Sequence, residues 1–191
     1  EFAAKFGVGD GTVESFKTEV TKNMQRELKQ ATGRLVKQAV MDQLVENNEI
    51  QIPAAMITSE IDQLREQMVQ QFSQGGQGGF DKSMLPDDLF QDRAERRVKL
   101  GLLVRSIVSG QEISVDADSV KAEIDEIAST YEQPEDVVNY YYGNQQLLQS
   151  VEGKVLEDQV VEYVLSQASV SDAEMAYEDI VQKAQAAAQQ Q

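Results

Sequence analysis

The residues that could do chemistry in this chain are carboxylates, hydroxyls and arginines, because its 191 residues include no His and no Cys. His and Cys supply most proton shuttles, protein nucleophiles and transition-metal ligands, so those reaction classes lose their usual side chains. The Asp and Glu residues fall at predicted helix starts or on polar helix faces, and no two are set apart for general acid and general base roles. We therefore expect no catalytic residue, no metal site and no cofactor.

One acidic pair has the spacing that begins a calcium-binding loop. Asp116 and Asp118 match the first and third positions, but the sixth position needs Gly and holds Lys121. The twelfth position needs a bidentate Glu and holds Ile127. The pattern therefore favours a helix cap, provided by either Asp116 or Ser114.

Two other segments could bind anions by composition. The Gly-rich segment 75–79 is not followed by the Gly-Lys-Ser/Thr of a phosphate-binding loop, so we interpret it as a flexible linker. The densest basic cluster consists of Arg93, Arg96, Arg97 and Lys99. We expect this cluster to be a solvated helix face that pairs with acidic residues, rather than an anion-binding site.

The net charge of −16 is unevenly distributed along the chain. Residues 112–191 hold 17 acidic residues against three lysines, a balance of −14, whereas residues 1–111 are close to neutral at −2. An acidic surface repels phosphates, so direct nucleic-acid binding is not expected. The sequence also has neither a transmembrane run nor a signal peptide, and the absence of Cys fits a reducing compartment. We expect a soluble, cytoplasmic chain with no membrane partner.

Apolar residues recur at steps of three and four along most of the chain, which is typical of amphipathic helices. Pro and capping residues set the expected starts, for example Pro53, Pro134 and Asn144. A capping box at 171–174 predicts the start of a last helix. Apart from the few residues at 49–52, no segment alternates as a strand does, so the fold class is all-α. The predicted helices cover about 13–47, 53–74, 86–110, 116–131, 134–143, 144–167 and 171 onward.

Three adjacent tyrosines, Tyr140, Tyr141 and Tyr142, lie on the short fifth helix. Neighbouring side chains on a helix point about 100° apart, so the three rings do not all enter one core. We expect at least one exposed ring, which makes this cluster a candidate binding surface as well as a packing element.

The two ends of the chain also carry signals. Residues 1–7 resemble the end of a helix that stops at Gly, and the first residue is not Met, so we expect the chain to begin inside a longer protein. The Gln-rich tail, from Ala184 on, extends the last helix without a large apolar anchor, so we expect it to fray.

Five segments in order resemble the C-terminal domain of bacterial trigger factor, a family whose helical fold is also similar to that of SurA-type periplasmic chaperones. The resemblance covers nearly the whole chain and implies one elongated all-α domain with two protruding helical arms. Residues 1–52 would form the linker end and a long body helix, 53–110 the first arm, 111–167 the second arm, and 168–191 a C-terminal helix and frayed tail. The five segments are 1–6, 52–57, 85–90, 96–103 and 131–138.

The resemblance implies an ATP-independent, ribosome-associated chaperone that binds unfolded or nascent polypeptides through scattered apolar patches. The family's ribosome-docking loop and FKBP-like peptidyl-prolyl isomerase domain are absent from this sequence, so the chain would not be an enzyme and would meet the ribosome only through an N-terminal domain. A weak homodimer is left open. The client-binding residues implied by the match are Ile57, Ile61, Met68, Phe72, Ile127, Tyr131, Val137 and Tyr140.

An alternative function is a helical scaffold with one dedicated protein partner. Amphipathic periodicity taken alone favours this alternative, because apolar stripes are more often internal core than binding surface. A scaffold would gather its apolar residues into one contiguous interface, whereas a chaperone would distribute them over several shallow patches.

Overall fold

A computed structural model describes residues 12–74, 85–131 and 133–188 of the chain. Within these ranges the regular structure is helical and no strand occurs, which confirms the predicted all-α class. A short 3-10 helix, Asp87–Leu89, precedes α3. The α-helices are α1 Val13–Asn47, α2 Ala54–Gln74, α3 Gln91–Gly110, α4 Ala117–Ala128, α5 Pro134–Gly143, α6 Gln145–Gln167 and α7 Tyr177–Ala188.

The described residues fall into two compact units. One unit combines the residues up to Val40 with those from Ser169 on, and the other runs from Met41 to Ala168. The second unit contains α2 to α6. The division of 53–110 and 111–167 into two protruding arms stays a prediction.

Helices α2 and α3 pack together as an antiparallel hairpin. Their direction follows from two ion pairs, because Glu60 meets Arg97 whereas Arg65, further along α2, meets the earlier residue Asp87. Apolar residues from both helices and from the connection meet in a buried cluster, which we call the hairpin core. The hairpin core consists of Ile61, Leu64, Leu85, Phe90 and Ala94, with Ile57, Met68 and Val69 packed against it.

Helices α4, α5 and α6 pack on one another around a second buried cluster, the three-helix core, and α6 also contacts α3. Burying such aliphatic side chains contributes roughly 1.5 to 3 kcal/mol each, so this short helical group holds together without a large aromatic centre. The three-helix core consists of Val120, Ile124, Val151 and Val155, with Val138, Tyr141 and Leu148 packed against it.

Local signals place the starts of α4, α5 and α6 where the sequence predicts them. The Asp116 carboxylate accepts a hydrogen bond from the Ser119 amide at 2.9 Å, which confirms the helix cap. Pro134 occupies the first turn of α5. The Asn144 side chain accepts hydrogen bonds from the amides of Gln146 at 3.0 Å and Leu147 at 3.3 Å at the start of α6.

The end of α3 carries an unusual backbone conformation. Gly110 is the last helical residue, as predicted, but the left-handed position that usually takes Gly is held by Glu112, with φ of 53°. The Ile113 amide donates to the Val108 carbonyl at 3.0 Å, and the Gln111 amide to the Ile107 carbonyl at 2.9 Å. These hydrogen bonds close the helix end and fix the direction in which the chain leaves α3.

Two predicted helix starts differ from the structure by more than one residue. Residues 87–89 form a 3-10 turn, so α3 begins at Gln91. Residues 169–176 lie outside any helix, so the predicted capping box at 171–174 is wrong. The first turn of α7 instead closes with a hydrogen bond from the Ile180 amide to the Ala176 carbonyl.

The tail is better anchored than its composition indicates. Ala184 and Ala187 are buried, and α7 stays helical to Ala188, which corrects the expected fraying from Ala184 on. In the same unit the Tyr177 hydroxyl donates a hydrogen bond to the carboxylate of Glu27. The predicted linker 75–79, the helix end at 1–7 and the last three residues lie outside the described residues.

Candidate functional site

The structure separates the four candidate residues of α2 by burial. Ile61 is only 4% exposed and belongs to the hairpin core, so its side chain already has its apolar partners. Ile57 and Met68 flank that core and are half-buried. Phe72, near the end of α2, is 43% exposed. A ligand therefore reaches Phe72 directly and the edges of Ile57 and Met68, but reaches Ile61 only if the hairpin opens.

The other four candidates lie on α4, on α5 and in the turn between these helices. Ile127 and Val137 are half-buried, whereas Tyr131 and Tyr140 are 57% and 63% exposed. Tyr131 follows the end of α4, and its amide donates to the Ala128 carbonyl at 3.0 Å. This part of the surface thus combines exposed rings with partly covered aliphatic side chains.

The tyrosine triple divides as the helical geometry predicts. Tyr141 packs against the three-helix core, and its ring meets that of Tyr140 edge to face with a centroid distance of 6.5 Å. Tyr140 and Tyr142 (48% exposed) point away from that core. A half-buried ring therefore supports an exposed one, which holds Tyr140 in a defined position at the surface.

Further exposed apolar residues were not among the sequence candidates. Met56 on α2 is 41% exposed, and Leu89 in the 3-10 turn is 65% exposed. The sequence could have indicated an exposed residue here, because Leu89 and Phe90 are adjacent. Only one of two neighbouring side chains in a tight turn faces the core. Phe90 takes that inward position and Leu89 faces outward.

A groove of about 450 Å³ lies between the first half of α2 and the middle of α3. Its apolar lining comes from Met56 on one helix and from Val98 and Leu102 on the other. Gly101 also lines it, and a Cβ placed on Gly101 would meet no atom within 4 Å. The groove is thus an open apolar surface with room above the helix backbone.

The basic cluster of α3 forms ion pairs, as predicted. Arg96 pairs with Asp42, and the Arg97 Nη1 lies 3.1 Å from the Glu60 Oε1. The Glu60 side chain is 16% exposed, and the contact has the distance of an ion pair without the alignment of a hydrogen bond. Arg105, one of the groove-lining residues, is exposed and makes no ion pair with any residue that the structure describes.

At the far end of the hairpin, one arginine joins α2 to the turn before α3. The Arg65 Nε donates to the Leu85 carbonyl at 3.1 Å, and its Nη1 lies 2.8 Å from the Asp62 carboxylate. Its Nη2 pairs with Asp87. Because the Arg65 side chain is only 14% exposed, these contacts are partly shielded from water and fix α2 against the turn before α3.

Hydrogen bonds shift the pKa of two surface groups. Those from the side chain and amide of Ser119 lower the pKa of Asp116 below its usual value. The hydrogen bond to Glu27 raises the pKa of Tyr177. Both groups have structural partners: the first caps α4 and the second joins α7 to α1.

Neither a metal cluster nor a membrane span is found in the part of the chain that the structure describes. No three Asp or Glu side chains there lie close enough together to hold a metal ion. No described helix is both long and apolar enough to cross a bilayer.

Comparison with known proteins identifies one family. The model of the C-terminus of bacterial trigger factor protein matches residues 12–166. The trigger factor of Alcanivorax borkumensis is 52% identical over 181 residues, covering 95% of this chain and 41% of the relative. That of Saccharophagus degradans is 50% identical over 188 residues, covering 96% and 42%. That of Acinetobacter baumannii is 48% identical over 191 residues, covering 97% and 43%. The chain thus spans about two fifths of the length of these curated relatives.

Proposed function

The chain belongs to the family of bacterial trigger factor C-termini, and from this premise we propose that it is a chaperone module that binds unfolded polypeptides without ATP. The observation that carries the proposal is the exposure of large apolar side chains around two separate cores. Phe72, Tyr131 and Tyr140 are 43%, 57% and 63% exposed and lie on different elements of one compact unit.

Scattered patches suit a ligand of no fixed sequence. Unfolded segments present apolar side chains in many orders, so several shallow surfaces capture them better than one shaped pocket. The thioether side chain of Met56, which is exposed on α2, adapts to ligands of different shape. Each buried anchor contributes roughly 1.5 to 3 kcal/mol, and three or four anchors, less several kcal/mol for ordering, leave an affinity on the order of micromolar. Such binding is weak enough to be reversible.

The proposed client surface contains the candidate side chains that are at least partly exposed. It comprises the exposed rings already named, the half-buried side chains beside them, and two further exposed residues, Met56 and Leu89, that the sequence did not indicate. Ile61 is left out because it belongs to the hairpin core. The proposed contact residues are Met56, Ile57, Met68, Phe72, Leu89, Ile127, Tyr131, Val137 and Tyr140.

Charge supports the same function. A protein that exposes apolar rings tends to associate with itself, and a net charge of −16 opposes that association by repulsion between copies. We propose that the chain binds unfolded polypeptides in the cytoplasm. The proposal assigns no catalytic step, no ribosome contact and no peptidyl-prolyl isomerisation to any residue of this chain.

The test is fluorescence anisotropy with two unrelated, permanently unfolded proteins and their folded counterparts, at low and high salt. The proposal expects micromolar binding to both unfolded forms, no binding to the folded forms, and little weakening by salt. Absence of binding to either unfolded protein would overturn it and favour the scaffold function with one dedicated partner.

A further inference from the structure

We propose that the groove between α2 and α3 binds client segments in which an acidic residue lies beside an apolar one, and that Arg105 provides this selectivity. The inference deepens the proposed function and rests on it. It concerns which unfolded segments this part of the chain prefers.

Gly101 is the first observation that supports a binding groove. A Gly inside a helix is less favourable than Ala by roughly 1 kcal/mol, and at this position no neighbouring atom excludes a Cβ. Gly153 on α6 also has open space above it, so open space alone does not mark a binding site. Gly101 differs because it lies in the groove beside Met56, Val98 and Leu102, where the missing side chain leaves the surface open to an apolar side chain of a ligand.

The charges that line the groove are the second observation. Glu60, Arg97 and Arg105 are its charged lining residues. Glu60 and Arg97 neutralise each other at one end through their ion pair. Arg105 lies eight residues further along α3, about 12 Å at 1.5 Å per residue, and pairs with no described residue. The groove is therefore positive at the Arg105 end, one helical turn beyond Leu102.

A carboxylate is the ligand group that this arrangement fits. The planar guanidinium group of arginine forms paired hydrogen bonds with a carboxylate, and these are stronger than bonds between neutral groups. An extended chain advances about 3.3 Å per residue, so an acidic residue next to the apolar anchor reaches Arg105 while the anchor lies over Gly101.

This local preference opposes the long-range field of the molecule. A net charge of −16 attracts basic segments at a distance. A preference for an acidic residue next to the apolar anchor would therefore be due to the groove, because the net charge of the chain favours the opposite preference.

The experiment uses two short unstructured peptides of identical composition. Both contain the same apolar cluster, one Asp and one Lys; in one peptide Asp adjoins the cluster and Lys is distant, and in the other the two are exchanged. Their affinities for the whole chain are compared by fluorescence anisotropy at about 0.15 M salt, where charges are screened beyond about 8 Å. We expect the peptide with adjacent Asp to bind about fivefold tighter.

Three variants test the assignment. Arg105→Gln should make the two peptides equal, and Arg105→Glu should reverse the preference. Gly101→Leu should fill the groove and weaken both peptides about tenfold. Gly153→Leu is the matched control, because Gly153 is also an exposed helical glycine with open space above it, but on α6 and outside the groove. Circular dichroism verifies that each variant keeps its helices.

Equal binding of the two peptides to the unchanged chain would overturn the inference, and so would a preference that survives Arg105→Gln. If Gly101→Leu left binding unchanged, the peptides would bind elsewhere on the chain. That result would overturn the assignment of the groove as the binding site, while the proposed function would stand. Failure of the unchanged chain to bind any unfolded protein would instead overturn the proposed function itself.

Discussion

Two groups of helices form their buried cores from different types of residue. One is the hairpin of α2 and α3, and the other is the group of α4, α5 and α6. The hairpin core contains large side chains such as Phe90 and Leu64, and the partly buried Arg65 fixes its far end. The three-helix core is mainly β-branched, and side-chain caps such as Asn144 begin two of its helices. The hairpin therefore depends on contacts between distant residues, whereas the three-helix group depends more on signals within a few residues of each helix end.

The exposed surfaces differ in the same way. The hairpin presents Met56, Leu89 and Phe72, which are wholly apolar apart from a thioether. The three-helix group presents Tyr131 and Tyr140, whose rings are apolar and whose hydroxyls stay in water. On the proposed function, a client with large apolar side chains would favour the first surface, and a client with mixed aromatic and polar segments would favour the second.

The largest expected effect is that of removing the main ring of the hairpin core. Phe90→Ala should lower the free energy of unfolding by about 3 to 5 kcal/mol, because Phe90 is 3% exposed and its loss leaves a cavity. Leu89→Ala is the matched control on the neighbouring residue and should change stability by less than about 0.5 kcal/mol, since Leu89 is 65% exposed. Urea denaturation measures both changes.

Hydrogen exchange shows where Phe90→Ala acts. Amides of α2 and α3 should lose more protection than those of α4 to α6. Equal loss in both regions would show that they unfold as one cooperative element and would remove the distinction drawn between them.

Arg65→Met should be next in size. It leaves the Leu85 carbonyl and the Asp87 carboxylate without their partner, and hydrogen bonds to charged groups contribute about 1.5 to 3 kcal/mol. Arg96→Met is the control, because Arg96 pairs with Asp42 at a more exposed position, where an ion pair contributes about 0 to 1 kcal/mol. Thermal denaturation of the two variants compares them. Equal shifts would mean that Arg65 is an ordinary surface residue.

Asn144→Ala tests the dependence of the three-helix group on its caps. Loss of the hydrogen bonds to the first amides of α6 should lower stability by about 1 kcal/mol. Asn139→Ala replaces an exposed Asn within α5, where Ala is the better helix former, and should be neutral or slightly stabilising. A cap variant as stable as this control would contradict the assigned role of the cap.

The smallest effect depends on pH. Hydrogen bonds from Ser119 lower the pKa of Asp116 in the folded chain, so the carboxylate stabilises α4 at neutral pH. This contribution is present above the usual pKa of Asp, near 3.9, and is lost as the pH falls through the lower folded value. The stability difference between the unchanged chain and Asp116→Ala should therefore shrink below about pH 4. A difference that stays constant from pH 7 to pH 3 would show that the carboxylate charge is not involved.

The elements that the sequence predicted well are those with local physical causes. The starts of α5 and α6 follow from Pro134 and Asn144, which act on the nearest amides whatever the rest of the chain does. The predicted start of α7 was wrong because a capping box does not by itself compensate for helix nucleation. Val170 and Met175 stay exposed beside that box, so the segment gains little burial from a helical turn.

The candidate site was harder to predict because periodicity gives a helix face but not its partner. Ile61 and Phe72 belong to the same apolar stripe of α2, yet only Ile61 lies where residues of α3 cover it. The exposed tyrosines were predictable because three adjacent rings do not share one core. The groove at Gly101 was not, because it depends on which halves of two helices lie side by side.

The left-handed Glu112 at the end of α3 has a consequence for binding strength. The closing hydrogen bonds of Gln111 and Ile113 set the course of the chain from α3 toward α4. They connect the hairpin surface, formed by Met56, Phe72 and Leu89, with the tyrosine surface, formed by Tyr131 and Tyr140, within one compact unit. On the proposed function, a polypeptide captured by one surface would meet the other at a high effective concentration, up to about millimolar for short flexible connections. Two weak contacts on one molecule would thereby combine into avidity, and a client would be released only when both contacts are broken at the same time.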